Sequence, residues 1–184
     1  MIIRLHDAAF EWLQRGLEDW ALGLLARLVF AGVLFMYFFR SAQTKVADGL
    51  SGVFTVTDGA YVQILPKVME RVGYDTSRIE LFPWGWMVYA GTYAEIVLPV
   101  LIVLGLATRL AALGMIGFVA VQTYVDIFQH AVTDDTIGAW FDKDPSALIA
   151  DQRALWVMLL AYLVLRGAGA VSLDGVLSRR RARA

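Results

Sequence analysis

Four stretches of this chain are long and apolar enough that water is a poor solvent for them: residues 20–39, 85–108, 110–130 and 154–171. Crossing a hydrocarbon layer of about 30 Å takes about 20 helical residues, and a helix satisfies its own backbone polar groups where lipid offers none. A soluble helical core can hide one or two such runs. Four of them predict an all-α fold, an integral membrane four-helix bundle. Composition agrees, because 59% of the 184 residues are hydrophobic and 18% are charged, against about 25% charged in an ordinary soluble domain; mean hydropathy is +0.60.

The flanking segments complete this organisation. In residues 1–19, Leu5, Ala9, Trp12, Leu13, Gly16 and Leu17 fall on one helical face, the pattern of an amphipathic helix lying in the membrane interface. Asp7, Glu11, Glu18 and Asp19 crowd the approach to the first apolar run and no small-residue cleavage site follows it, which argues against a signal peptide. The membrane domain then covers residues 20–174, with long polar connections at 40–83 and 131–153 and a tight turn at 107–110. Residues 175–184 read as a basic tail. An even number of spans places both termini on one side. The arginine cluster RRRAR at 179–183, just beyond the fourth span, predicts that this side is cytoplasmic.

Inside the spans, polar residues are costly and mark either a bundle contact or a functional path. TYAEIVLPVLIVLGLATR, residues 92–109, holds Glu95 near mid-membrane. Pro99 follows at i+4 and has no N–H for the Glu95 carbonyl, leaving a second acceptor at the same depth. Arg27, in the first span, can pair with Glu95 as a structural staple or snorkel to the interface. The other reading makes Glu95 the acid–base group of a pocket, the candidate catalytic residue. Tyr89 and Thr92, one or two turns away, continue a polar path. In QTYVDIFQH, Gln122, Asp126 and His130 recur every four residues along one face of the third span. They mark a proton route to the outer surface or the simple exit of the helix from lipid. Lys45 lies just past the first span on the same side. The candidate cofactor-binding residues are therefore Arg27, Lys45, Tyr89, Thr92, Gln122, Asp126 and His130.

Other chemistries find little support. The net charge of -1 gives no general attraction for nucleic acid, and without cysteine there is no thiolate centre or iron–sulfur cluster. The two histidines, His6 and His130, fall at opposite faces of the expected bundle, so no bis-histidine haem and no metal site is expected. Nucleotide loops and serine–histidine–acid patterns are missing.

Arg27 with Gly32, Lys45, Glu95, the turn GLATRLAA at 105–112 and GAGAVSLD at 167–174 together resemble the DoxX family of small four-helix membrane proteins. The resemblance runs from about Leu24 to Asp174 and puts weight on Arg27, Lys45, Glu95, Arg109, Ser172 and Asp174. Ala168, Ala170 and Val171 depart from the family's closing segment, where a proline and a basic or aromatic residue are common. The connection at 40–83 is long for the family, which implies an added periplasmic surface or a partner site. The resemblance implies a bacterial inner-membrane protein linked to a quinone-dependent oxidoreductase of sulfur compounds.

Three readings follow. The chain is an accessory or structural subunit of an inner-membrane complex, docked to a protein partner and to membrane lipids. Alternatively it is a quinone-binding oxidoreductase subunit that uses Glu95 for proton exchange, with quinone as its cofactor. The third is a small-molecule or lipid-handling membrane protein. The chain itself supplies acid–base groups and no electron carrier, so a redox role needs a bound quinone, another cofactor or a partner.

Overall fold

A computed structural model describes residues 2–49 and 51–181. Residues 182–184, the last of the basic tail, lie outside the described residues. The protein is all-α with four membrane-spanning helices: Ala21–Gln43, Leu81–Leu104, Thr108–Gln129 and Leu148–Arg166. Among the described residues there is no strand, only an isolated antiparallel bridge between Val46 and Val56. The spans alternate in direction and close a ring in which each packs on its neighbours in sequence and the fourth returns to the first. One end, here the terminal face, gathers the segments around Asp19, Gly105 and Ala170; the other, the loop face, carries the two long connections.

A preceding helix, Ile2–Leu17, leaves Leu5, Trp12 and Leu13 exposed, so its apolar face is uncovered among the described residues. Two short helices, Asp58–Ile64 and Pro66–Arg71, fold under the loop face, and Ala60 and Leu65 pack there with Val88 of the second span. The main core runs along the inside of the bundle. Phe30, Leu34 and Phe38 of the first span meet Ile102, Met115, Leu160 and Leu163. The lipid-facing surface is apolar too, with Leu25, Val33, Leu113 and Leu155 exposed, as expected where the solvent is hydrocarbon.

The second span starts four residues earlier than expected and the fourth starts six earlier and ends at Arg166. Residues 167–172 are therefore a closing segment folded across the terminal face rather than the end of a span, and Leu173–Arg181 is helical. Gly105 ends the second span in left-handed conformation (φ 69°), with Gly105 N–H donating to the Ile102 carbonyl and Leu106 N–H to that of Leu101. These two bonds make a Schellman cap. A Cβ at Gly105 would stand 2.6 Å from the Ser172 Cβ and 2.8 Å from the Arg27 Cζ, so this turn needs glycine for space as well as for φ.

Arg27 is the centre of the terminal face. It is 8% exposed. Its guanidinium donates to the carbonyls of Ile102 (3.1 Å) and Val103 (2.6 Å) at the end of the second span, and to Val171 (2.7 Å) and Ala168 (3.4 Å) in the closing segment. The last carbonyls of a helix are unpaired and carry partial negative charge, so a buried cation with five donors is well placed there. Asp174 does the complementary work at the start of the third span. Its carboxylate accepts from the backbone N–H of Ala107 (2.8 Å) and Thr108 (2.9 Å). Ser172 then caps the last helix, accepting from Gly175 N–H at 3.0 Å.

Burial pushes the Asp174 carboxyl up, but the hydrogen bonds from Thr108 and Ala107 and the nearby Arg27 guanidinium outweigh it and hold the group below the ordinary carboxylate value. A carboxyl lowered in the folded state adds stability above its unfolded pKa and loses it as pH falls through the folded one. The thermal midpoint of the purified protein in detergent should therefore fall below about pH 4. Asp174→Asn should start from a lower midpoint at neutral pH and show a smaller acid-dependent drop; an unchanged acid profile would contradict the assignment. Arg27→Met should leave the Val103, Ala168 and Val171 carbonyls without the guanidinium donor, Ile102 keeping Gly105 N–H, and cost about 3 kcal/mol or more, read as a lower unfolding midpoint in the same detergent.

Candidate functional site

Glu95 is 2% exposed and its Oε2 accepts from Lys45 Nζ at 2.8 Å. The expected structural partner, Arg27, is elsewhere, and the reason is geometric. Helical side chains lean toward the N-terminus of their own helix. Arg27 on the first span therefore leans to the terminal face, while Glu95 on the oppositely directed second span leans to the loop face. Lys45, two residues past the first span, turns back into the bundle. Its Nζ also donates to the Ser41 carbonyl (3.1 Å) and the Ser41 Oγ (2.8 Å), so all three ammonium hydrogens have acceptors.

The backbone at Lys45 is held from the far side. Thr57 N–H donates to the Lys45 carbonyl and Ala47 N–H to that of Thr55, both at 2.9 Å, around the Val46–Val56 bridge. This small hairpin in the first long connection sets the ammonium against Glu95. An ion pair at this depth is sustained only by such close geometry, because desolvating each ion costs several kcal/mol.

The pair lines a cavity of about 490 Å³ between the second and third spans. Small residues open its middle, Ala90, Gly91 and Ala94 on the second span and Gly114 and Gly117 on the third, beside Met87, Phe118 and Val121. Ala90, Gly114, Gly117 and Val121 are exposed on the lipid-facing surface, so the cavity is a groove open sideways to the bilayer. Gln122, Asp126 and His130 line it toward the loop face, and Gln63 of the short helix Asp58–Ile64 joins them. The third span widens at Val125–Gln129, where His130 N–H bonds the carbonyl five residues back at 3.0 Å. Such local π turns recur at functional sites.

The structure thus brings together Glu95, Lys45, Gln122, Asp126 and His130, but not the other three candidates. Arg27 belongs to the terminal face. Tyr89 is 39% exposed and lies against Tyr93, 6.5 Å between ring centroids, outside the groove lining. Thr92 is fully buried, does not line the groove, and its Oγ1 has no partner among the described residues.

Sequence reasoning missed Arg153. Counted there as a loop charge, it is 3% exposed and pairs with Asp126, also donating to Thr123 Oγ1 at 2.8 Å. Its position at the head of an 18-residue apolar stretch was the available signal. Ser41 and Gln63 were missed as well. Gln122 Nε2 donates to the Tyr37 hydroxyl at 2.9 Å, whereas its Oε1 is buried with no partner among the described residues. His130 Nε2 lies 2.9 Å from the Gln63 carbonyl. A carbonyl only accepts, so Nε2 carries the hydrogen and Nδ1 is the basic nitrogen.

Chemically, the groove offers an ammonium, a carboxylate and a hydroxyl at its floor, with an imidazole at its mouth. A polytopic helical membrane protein with a buried ammonium–carboxylate pair in a lipid-open groove is the class that fold and site define. The DoxX family model matches residues 22–128, more than half of the chain, and the chain belongs to the DoxX family. No curated protein and no solved structure matches it. The matched region includes Arg27, Lys45, Glu95 and Asp126 and stops before His130, Arg153 and the closing segment.

Lys45→Met strands the Glu95 charge in an apolar setting and should cost about 3–5 kcal/mol. Adding Glu95→Met should recover a large part of that loss, giving a strong coupling in a double-mutant cycle measured by unfolding in mixed detergent. Additive losses would mean that the two side chains do not act as a pair.

Proposed function

We propose that this protein is an accessory subunit of a bacterial inner-membrane redox complex, with both termini cytoplasmic, and that its groove holds the head group of a membrane quinone. The observation that carries this reading is the lipid-open groove with the Glu95–Lys45 pair at its floor. A quinone is an apolar-tailed molecule with a flat polar head, and it reaches a protein laterally through the bilayer. The groove volume lies within the range of about 300–1,000 Å³ usual for small-molecule sites.

The polar groups suit such a head. Ser41 Oγ accepts from Lys45 and keeps its own hydrogen to donate to a ring carbonyl. The unpartnered Gln122 Oε1 can accept from a ring hydroxyl of the reduced form. A bound quinone supplies the two-electron acceptor that the chain lacks; the electrons come from a partner's redox centre. Glu95 and Lys45 hold and exchange the proton that the ring oxygen gains or loses, and the apolar walls keep bulk water from the pair.

The accessory role is supported by the uncovered apolar surface outside the spans. Phe54 and Tyr74 are exposed along the first long connection, on the loop face, and the N-terminal helix presents its own apolar side at the terminal face. The first suits docking of a protein partner and the second suits the membrane interface. The arginines of the last helix, Arg179, Arg180 and Arg181, favour the cytoplasmic side for the termini.

Protein purified from native membranes in mild detergent should carry near one quinone per chain by mass spectrometry, and folded Glu95→Gln should carry much less. Trace quinone in both would overturn the quinone site and leave an accessory subunit whose charges organise the bundle.

A further inference from the structure

Glu95 is not equally placed toward the two sides of the membrane. From Glu95 to the terminal face the second span continues through Leu98, Leu101, Ile102 and Val103, all in or against the main apolar core. Beyond that core the Arg27 guanidinium is bonded to four carbonyls. A second cavity of about 500 Å³ lies at the terminal face beside Thr108, Arg109 and Asp174, and it shares no lining residue with the groove of Glu95. Toward the loop face the surroundings are polar. Gln122, Asp126 and His130 follow one another along the groove to an exposed mouth, four residues and so about 6 Å apart along the helix.

We propose that Glu95 exchanges protons with the loop-face side of the membrane only, and that His130 is the group that relays them at the mouth. This rests on the acid–base role assigned to Glu95 above, but not on what the groove binds. His130 is exposed and its Nε2 hydrogen is committed to the Gln63 carbonyl, so Nδ1 takes the incoming proton. The Asp126 carboxylate, paired with Arg153 of the fourth span, lies between His130 and Glu95 along the groove. The groove is roomy and polar enough at this end for ordered water to bridge the remaining gaps. In the net step a proton leaves loop-side water, an N–H bond forms at His130 Nδ1 and then breaks, and an O–H bond forms on Glu95. The carboxylate becomes a carboxylic acid and the imidazole returns to its neutral form.

The charged or titratable groups facing this path are Tyr37 on the first span, whose hydroxyl accepts from Gln122, Lys45 at the end of that span, Glu95 on the second, Asp126 and His130 on the third, and Arg153 on the fourth. Lys67, next to the mouth, donates to the Phe128 carbonyl at 2.6 Å. His130 is the residue to change, because it is exposed and bears no ion pair among the described residues, whereas Asp126→Asn would strand Arg153.

The test uses the full chain in vesicles of known orientation, without added quinone, with the two sides buffered at different pH. Dicyclohexylcarbodiimide adds to a protonated carboxyl: the acid hydrogen goes to nitrogen and the carboxyl oxygen bonds the central carbon, giving an adduct located by peptide mass. Glu95 modification should rise as the loop-face pH is lowered and should ignore the pH at the terminal face. Modification that follows the terminal-face pH, or both sides equally, overturns the proposal, as does an unmodified Glu95 at every pH. After a pH jump on the loop face, the infrared carboxyl band that Glu95→Gln removes should appear several-fold more slowly in His130→Gln with the same end point. An unchanged rate removes His130 from the path. One-sided protonation in a protein that retains no quinone would leave this inference standing and sink the quinone reading.

Discussion

Hydrocarbon supplies no hydrogen-bond partners, and a charge that this chain carries below the membrane surface has to find its partners within the chain. Three buried cations meet that demand, and each joins different parts of the ring. Arg27 ties the first span to the end of the second and to the closing segment; Lys45 ties the end of the first span to the middle of the second through Glu95; Arg153 ties the fourth span to the third through Asp126. Apolar packing alone discriminates weakly between helix arrangements in lipid, since lipid tails pack as well as leucine does. These polar contacts set which spans are neighbours and at what height.

The three contacts are not alike in their surroundings. Arg27 lies in a dense setting, with glycine required at Gly105 because any side chain would strike Arg27 or Ser172. Lys45–Glu95 and Arg153–Asp126 border open space, because Gly114 and Gly117 on the third span face Ala90, Gly91 and Ala94 on the second with little side-chain volume between them. Small residues on facing helices usually permit close backbone approach. Here they leave a groove, and a charged pair beside a groove is where a ligand or a proton can reach it. The side of the bundle between the second and third spans thus trades packing for access, as functional sites commonly do.

Much of this was legible in the sequence because the signals were local. Four apolar runs of membrane length specify four helices, and the four-residue spacing of Gln122, Asp126 and His130 specifies a shared face. The closing segment was harder. Residues 167–171 are apolar enough to read as the end of a span, and only the glycines Gly167 and Gly169 (φ 79° and 76°) show that the helix has stopped. Arg153 was readable only as a charge at the head of an apolar run, not as a buried one. A charge at the edge of an apolar run can sit in the loop or turn into the bundle, and the choice depends on Asp126, which is 27 residues away in sequence.

The choice of partner for Glu95 shows how direction can succeed where depth fails. Judged by depth alone, Arg27 and Glu95 both lie within the hydrocarbon and opposite charges there should meet. Yet in antiparallel neighbours the Cα–Cβ bonds tilt toward opposite faces, so two side chains approach when each leans toward the other and diverge when each leans away. Glu95 leans toward the loop face, and the cation that can meet it has to lie nearer that face and reach back. Lys45 satisfies this condition, and the hydrogen bonds of its Nζ to Ser41, one turn earlier, show it reaching back. Arg27, leaning the other way, arrives at the carbonyls of Ile102 and Val103 at the end of the second span, where the helix leaves acceptors in need of a donor. The direction of the first two spans therefore divides the labour between the two cations, one closing the terminal face and the other holding the carboxylate at the edge of the groove.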